Sequence, residues 1–493
     1  MRHPVKIASK FLSTLVASFI LSSPLNPASQ AVFAQELEGS SLQSTNLSDQ
    51  NSINVVDQAI LRKEIELERL NTNFRIETTS QDKYKRWRQL FYTEANACPT
   101  ESGVIAAMCE RFANLRHGKI IFNRVRLKDN IYALRPQLQA RRIKHYRSEH
   151  TLEPQMVGQW IGTAGGIIEL TANLINSHKL SKQGFDPQTT RKQVLKLKKE
   201  TDDLLERRTS LVAALSAADA SLAASEGKLL RDIEDISLLE YSRFHIGAKR
   251  SAVMQNTQEL FLIYRNAIGA TGNLINIISA HSRKRHMSGT GLLCTLLSGV
   301  GVVATPLAAR WAAALEGKLA ARKLSPDILG IAPKDQGAFE SDRLALESLV
   351  NSHNAESGSR NQLQLARLSA YKMESDLLST QKALEVRQKE QARRATIESV
   401  TSSALTGSTK IALGVCGMVA GYKNIRNPKA QDRLHAAGNT AYGIGTDLTI
   451  TEGLRVRIAG EMETSHLRRE HLLRGQVLQQ RLKILDEMER KIQ

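Results

Sequence analysis

Long stretches without proline set the architecture that this chain can adopt. Beyond residue 35, prolines stand only at positions 99, 136, 154, 187, 306, 326, 333 and 428. Proline breaks a helix interior, so a helix can run without interruption through residues 188–305, 334–427 and 429–493. A single helix over residues 190–280 would be roughly 135 Å long. These windows predict an all-α fold, in the form of an elongated antiparallel helical bundle or coiled coil with long helical hairpins.

Heptad periodicity supports this prediction. Apolar residues recur at spacings of three, four and seven along the first window, as in a coiled-coil seam. The residues are Val194, Leu197, Leu204, Leu211, Leu215, Leu222, Leu229, Ile233 and Ile236. Aromatic residues make up only 5% of the chain, and this composition favours long helices over compact globular domains.

Five glycine-rich islands of small residues interrupt the charged helical sequence. They cover residues 156–176, 268–273, 291–309, 407–421 and 438–453. Glycine is unfavourable in an exposed helix interior, and spacings of four, seven or eight place the glycines of one island on one helix face. We therefore expect glycine-rich, close-packed segments in the bundle. The glycines expected at helix contacts are Gly158, Gly162, Gly166, Gly407, Gly414, Gly421, Gly438 and Gly445.

Clusters of basic residues lie beside the islands, where the chain is expected to turn. One interpretation places these cations at a lipid head-group layer, beside small-residue arms that insert or lie on the membrane. The alternative is capping, because cations at a helix C-terminus gain up to about 1 kcal/mol from the helix macrodipole. The candidate contacts with an anionic surface are Lys179, Lys182, Arg283, Lys284, Arg285, Lys423, Arg426 and Lys429.

Only the third island is long and apolar enough to be a candidate membrane span. Residues 287–309 contain no charged residue and no histidine, and a helix of that length crosses a hydrocarbon layer of about 30 Å. Glu169, Lys410 and Asp447 interrupt three of the other islands. Those islands are expected to form buried bundle cores or amphipathic surfaces instead.

The N-terminal sequence has the pattern of a secretory signal peptide over residues 1–34. Basic residues precede an apolar run at residues 11–21, and Val32 and Ala34 fit cleavage before Gln35. The alternative is an uncleaved N-terminal anchor, for which this apolar run is short. The remaining regions expected are a flexible linker at 35–57, an N-terminal helical region at 58–150, a long helical hairpin region at 151–335 and a C-terminal long helical hairpin at 336–493.

The sequence carries no motif of a catalytic, cofactor-binding or metal-binding site. It contains no Cys-x-x-Cys, His-Glu-x-x-His or Gly-x-Ser-x-Gly pattern. We therefore expect a non-enzymatic protein without a cofactor or bound metal. Cys98 and Cys109 form a disulfide only if residues 99–103 fold back, because on a continuous helix their Cα atoms would be roughly 16 Å apart. The bridged and the free state both stay open.

Charge and export together define the expected partners. The net charge is +19, and cleavage of the signal peptide removes only positive charge. Such a protein is expected to bind anionic lipid or an acidic polymer of the envelope, or to self-associate, whereas nucleic acid is not expected outside the cytoplasm. The predicted function is a structural or interaction element at the bacterial cell envelope, in the periplasm or secreted. The alternative is a membrane-active protein that inserts glycine-rich hairpin tips and is similar in outline to α-helical pore-forming toxins.

Overall fold

The described part of the chain is built from helices. The computed structural model describes residues 49–80, 152–213, 217–282, 285–332, 336–357, 362–422 and, with gaps, 434–492. The helices named over these residues are α1 (Asp49–Ser80), α2 (Glu153–Lys182), α3 (Pro187–Val212), α4 (Ala217–His281), α5 (Arg285–Lys323), α6 (Pro326–Leu329), α7 (Gln336–Ser357), α8 (Gln362–Tyr422) and α9 (Arg474–Ile492). No strand occurs in this part of the chain. The all-α fold predicted from the sequence is confirmed.

Helix α1 corrects the predicted linker at residues 35–57. The helix begins at Asp49 and therefore occupies the last part of that range. Ile53, Val56 and Ile60 share one face of α1 and are buried, because neighbouring helices pack against that face. Packing thus overrides the Ser- and Asn-rich composition. The segments outside the described residues include the predicted signal peptide at 1–34, residues 81–151, and with them Cys98 and Cys109.

Several breaks divide the windows that contain no proline, and two of them change the predicted architecture. The first separates α3 from α4 after Val212, so residues 190–280 form two helices rather than one. The second separates α7 from α8, so the region 336–493 holds more helices than a single hairpin. Each break lets the chain return along its neighbour, which buries apolar faces that one straight helix would leave in water. Helix α4 nevertheless continues through Gly227 and Gly247 for 65 residues, or roughly 97 Å.

A tight turn joins α2 to α3. Gly184 adopts a φ of +76°, in the left-handed region that favours glycine. The carboxylate of Asp186 accepts hydrogen bonds from the backbone N–H groups of Gln188 at 3.0 Å and Thr189 at 3.2 Å, and Pro187 occupies the first turn of α3. The turn therefore holds the basic end of α2 in a defined place.

Two adjoining apolar clusters form what we call the base. The larger cluster contains Leu229 of α4 and Leu485 of α9, and the smaller contains Phe74 of α1 and Leu324, which follows α5. Side chains from α1, α3 and α4 contribute to both clusters. The base comprises α1, α3, α6, α7 and α9 together with residues 217–248 of α4, 318–331 around the end of α5, and 362–392 of α8.

Four helices continue beyond the base as what we call the arm. The arm comprises residues 153–176 of α2, 251–280 of α4, 287–309 of α5 and 399–420 of α8. Helix α2 runs antiparallel to α4, since the side chain of Asn273 donates to Gln159 at 3.1 Å and that of Asn173 donates to Asn256 at 3.0 Å. The start of α2 therefore lies near the end of α4.

Helices α5 and α8 complete the arm. The hydroxyl of Ser298 on α5 donates to the backbone carbonyl of Arg265 on α4 at 2.8 Å, so α5 folds back along α4. The guanidinium of Arg310 on α5 donates to the carbonyl of Thr396 on α8 at 3.1 Å. Helix α5 is thus flanked by α4 on one side and by α8 on the other.

Candidate membrane-contact surface

Glycine allows the helices of the arm to meet backbone against backbone. A Cβ atom added to Gly272 of α4 would lie 2.6 Å from the carbonyl oxygen of Gly291 on α5. A Cβ atom added to Gly414 of α8 would lie 2.8 Å from the Cα atom of Leu296 on α5. Real Cβ atoms do not approach other atoms so closely, and a larger residue at either position would force the helices apart.

The glycines of the first island lie in α2. Gly158, Gly162 and Gly166 are all buried. A Cβ atom on Gly166 would lie 2.7 Å from Cγ1 of Ile263 on α4. This side of α2 therefore packs against α4, which carries the second island.

The glycines of the fourth and fifth islands contact more than one helix. Gly407 approaches Gly299 of α5, with 3.0 Å between an added Cβ and the carbonyl oxygen. The fifth island lies on α8, where an added Cβ on Gly438 would be 3.2 Å from the Cα atom of Leu413, and where Gly445 contacts Thr409. The fourth island thus contacts the third as well as the fifth. The surroundings of Gly421, which is in α8, lie outside the description.

The seam between α2 and α4 is polar although it is buried. Gln159 and Asn273 are hydrogen-bonded across it, and the hydroxyl of Thr163 donates to the carbonyl of Gln159 at 2.9 Å. Other buried polar residues on the same two helices are Gln155, Glu169, Glu259, Asn266 and Asn276. An interior of this kind gains little from the hydrophobic effect, because apolar surface is what that effect buries.

The outer surface of the arm is apolar. Helix α5 exposes large apolar side chains at helical spacing along its outward face. Within the arm these are Leu293, Leu297, Val300 and Leu307, and Trp311, Leu315 and Leu319 continue the face beyond the arm. Helix α2 exposes Val157, Trp160, Ile167, Leu174 and Ile175, and α4 exposes Leu260, Tyr264, Leu274 and Ile278. A contiguous apolar surface of this extent marks a site of contact with lipid or protein.

No described side chain of the arm combines charge with exposure. The ionisable residues in its four segments are Glu153, Glu169, Glu259, Arg265 and Lys410, and each is buried or half-buried. Residues 287–309 contain none. That segment of α5 is roughly 35 Å long, close to the thickness of a bilayer's hydrocarbon core of about 30 Å.

All four helices carry charged residues at the same level along the arm axis, where the arm meets the base. Cross-helix contacts fix this height: Lys249 of α4 pairs with Glu316 of α5 at 3.5 Å, and Arg310 of α5 bonds to Thr396 of α8. We call the basic residues at this height the collar. They are Lys179, Lys182, Lys249, Arg250, Arg310, Arg393 and Arg394. The last five were not among the residues predicted from the sequence, because they do not lie beside a glycine-rich turn.

The predicted basic residues therefore do not share one end of the arm. Lys179 and Lys182 are exposed in the last turn of α2 and lie in the collar, because α2 runs antiparallel to α4. The opposite end, where α4 passes into α5, is what we call the tip. Arg285 begins α5 there. The candidates outside the description are Arg283, Lys284, Lys423, Arg426 and Lys429.

The base holds a second group of ionisable residues, all of them buried. Arg208 pairs with Asp57 at 2.5 Å, Arg367 with Glu226 at 2.9 Å, and Arg481 with Glu68 at 2.5 Å and Glu374 at 3.4 Å. These pairs join α1, α3, α4, α8 and α9. No group of three or more potential metal ligands occurs among the described residues. In each pair the cation and the carboxylate neutralise each other's charge, and we interpret this role as structural.

One carboxyl group in the base has no such partner. Glu64 is buried, and neither of its carboxyl oxygens has a hydrogen-bond partner. Burial raises its pKa well above the usual value, and the neighbouring carboxylates of Glu234, Glu374, Glu68 and Asp57 raise it further. Glu64 therefore keeps its proton to a higher pH than an exposed glutamate does.

Comparisons with known proteins add no assignment. No protein family, curated protein or solved structure matches this chain. The function is therefore inferred from the chemistry of the surfaces, and the apolar arm above a basic collar is the surface with the clearest chemical preference.

Proposed function

We propose that the chain is a non-enzymatic helical protein of the cell envelope whose arm inserts into a lipid bilayer while its base stays in water. The observation that carries the proposal is the uncharged outer surface of the arm, which is as long as a bilayer's hydrocarbon core is thick. The role is that of an anchor or interaction element and combines the two functions that the sequence suggested.

The interior of the arm supports the proposal. Lipid gives apolar side chains no reason to turn inward, so helices in a membrane associate through close contacts of small residues and through polar side chains. The arm has both features, in the glycine contacts at Gly272 and Gly414 and in the bond between Gln159 and Asn273. Helices also satisfy their own backbone hydrogen bonds, as a bilayer requires.

Helix α5 supports it as well. The stretch Met287–Leu329 has a mean hydropathy of 1.9 in its most apolar window, and by length and composition it is able to cross a membrane. Only 39% of that window is buried inside the protein, whereas the core helix of a soluble protein would be mostly buried. Leaving such a surface in water costs roughly 25 cal/mol for each Å² of apolar area.

Vesicle flotation of the full-length protein tests the proposal. Val300 is 45% exposed near the middle of the apolar face of α5, and Val300→Arg would place a cation near the bilayer centre at a cost of about 2.5–3.5 kcal/mol. We expect the wild type to float with phosphatidylcholine–phosphatidylglycerol vesicles, and the variant to bind roughly a hundredfold more weakly.

The matched control is Leu344→Arg, at a position on α7 of the base that is 52% exposed. This variant should float like the wild type. A trapped dye should stay inside the vesicles, because side chains fill the seam between α2 and α4. The proposal fails if the wild type does not float, or if both arginine variants bind equally well.

A further inference from the structure

We infer that the collar binds the anionic head groups of one membrane leaflet and thereby sets how deep the arm inserts, with the tip crossing the bilayer and the base remaining on the collar side. This inference rests on the proposed insertion of the arm. It adds the chemical class of the lipid and the orientation of the protein.

The charge of the collar is predominantly positive. Lys179 and Lys182 of α2 and Arg250 of α4 are exposed. Arg393 and Arg394 of α8 are exposed at the same height, although Arg394 pairs with Glu390 at 2.5 Å. The other acidic residues at this height are Glu316, which pairs with Lys249, and Glu398, which is half-buried. Among the described residues, basic side chains thus outnumber acidic ones at this height.

The position of the collar makes lipid a better partner than an acidic polymer. The stretch of α5 without charged residues runs from 287 to 309 and ends directly at Arg310. Its exposed apolar face includes Leu293, Val300 and Leu307, and Trp311 continues this face at the height of the collar. A polymer would engage the cations but leave this apolar face in water. An anionic bilayer engages both, because each Lys or Arg near its surface contributes about 1 kcal/mol.

The two tryptophans of the described chain lie at different depths in this arrangement. Trp311 is 70% exposed and follows Arg310 directly, at the height of the head groups, where tryptophan is enriched in membrane proteins. Trp160 is 45% exposed and follows Gln159, which bonds to Asn273. Asn273 lies roughly 12 Å from the tip end of α4, which places Trp160 well inside the hydrocarbon.

Charge neutralisation tests the choice of lipid. The double variant Lys179→Gln/Lys182→Gln should bind vesicles of equimolar phosphatidylcholine and phosphatidylglycerol roughly 10- to 30-fold more weakly than the wild type at low salt. Its binding to pure phosphatidylcholine should not change. The control Lys199→Gln/Arg207→Gln removes two exposed charges from α3 in the base and should leave both affinities unchanged.

Tryptophan quenching tests the orientation. Trp87→Phe combined with Trp311→Phe leaves Trp160 as the only tryptophan, and Trp87→Phe combined with Trp160→Phe leaves Trp311. Lipids brominated deep in the acyl chains should quench Trp160 most strongly. Lipids brominated close to the head group should quench Trp311 most strongly.

The outcomes separate this inference from the proposal beneath it. If the wild type binds neither kind of vesicle, insertion itself is refuted. If it binds both equally and the collar variant matches the base control, the arm inserts but the collar does not select anionic lipid. Equal, shallow quenching of both tryptophans would overturn the inferred depth and orientation.

Discussion

The base and the arm share helices but differ in the side chains that these helices bury and expose. In the base, α4 buries Leu229, Leu230 and Leu238, which are fully inaccessible to solvent. Further along the same helix, the arm buries Asn266 and Asn273 and exposes its leucines. In the base the same helix also buries charged groups, among them Glu226, which pairs with Arg367, whereas the buried polar residues of its arm segment are mainly asparagines. The change occurs near the collar, which in the proposed arrangement is the place where water gives way to lipid.

The difference between base and arm follows from the forces that hold helices together in water and in a bilayer. Water drives apolar side chains together, and the base accordingly contains two large apolar clusters. In a bilayer that driving force is absent, and close packing of small residues together with polar contacts holds helices together. Variants in the two regions should therefore respond to different conditions.

The largest effect is expected from Arg481→Met in the base. Arg481 is 2% exposed and pairs with Glu68 and Glu374, so the variant leaves both carboxyl groups buried without a cation. Removing one partner of a buried ion pair costs about 3–5 kcal/mol. Urea unfolding followed by circular dichroism should show this loss, whether or not vesicles are present.

Lys483→Met is the matched control, because Lys483 is exposed on the same helix. It should change the free energy of unfolding by less than about 0.5 kcal/mol. The deficit of Arg481→Met should also shrink in acid, because burial raises the pKa of Glu374 to about 7 and this carboxyl group loses its charge as the pH falls. A deficit that is independent of pH would mean that lost packing, rather than unpaired charge, destabilises the variant.

A smaller effect, confined to the arm, is expected from Gly414→Leu. The added Cβ would lie 2.7 Å from the backbone nitrogen of Leu296, so α5 and α8 must separate, at a cost of about 3 kcal/mol. Thermal unfolding in a mild detergent should begin at a lower temperature. Gly247→Leu is the control, because a Cβ at that position of α4 meets nothing within 4 Å and leucine favours helix over glycine. Equal effects of the two substitutions would contradict a glycine-dependent contact at Gly414.

Local patterns in the sequence were enough to predict the all-α fold, and they identified the glycines at which helix contacts were expected. They were not enough to predict which helix each glycine contacts. The spacing of Gly407 and Gly414 defines a face of α8, but only the tertiary arrangement shows that this face meets α5. The outward face of α5 was not predictable from the sequence for a related reason. Residues 287–309 are apolar on every side, so their periodicity gives no direction.

The ionic interior of the base was beyond the reach of sequence patterns. Arg481 and Glu68 are 413 positions apart, and no local spacing relates them. The linker prediction failed similarly, since the burial of Ile53 and Val56 depends on helices that come much later in the chain. The basic end of α2 was predicted at Lys179 and Lys182, but its place in the collar follows from the antiparallel packing of α2 against α4.

The smallest effect is expected from Glu64→Gln, and it depends on pH. The raised pKa of Glu64 means that its unfolded form releases a proton at a lower pH than its folded form does. The wild type is therefore destabilised progressively as pH rises above about 4.5, until the folded-state carboxyl also ionises. Glutamine resembles the protonated carboxyl but does not titrate. The variant should match the wild type near pH 4 and exceed its free energy of unfolding by an amount on the order of 1 kcal/mol at pH 7.

Measuring the difference between the two proteins also removes the contribution of His245. Burial lowers the pKa of that histidine to about 4, which stabilises the fold as pH rises through the range from 4 to 6.5 and opposes the effect of Glu64 in the wild-type profile. Both proteins contain His245, so it cancels in the difference. A flat difference between pH 4 and pH 8 would mean that Glu64 is solvated or paired with a cation. The base would then tolerate an ionised carboxylate at this position, and its interior would be less distinct from that of the arm.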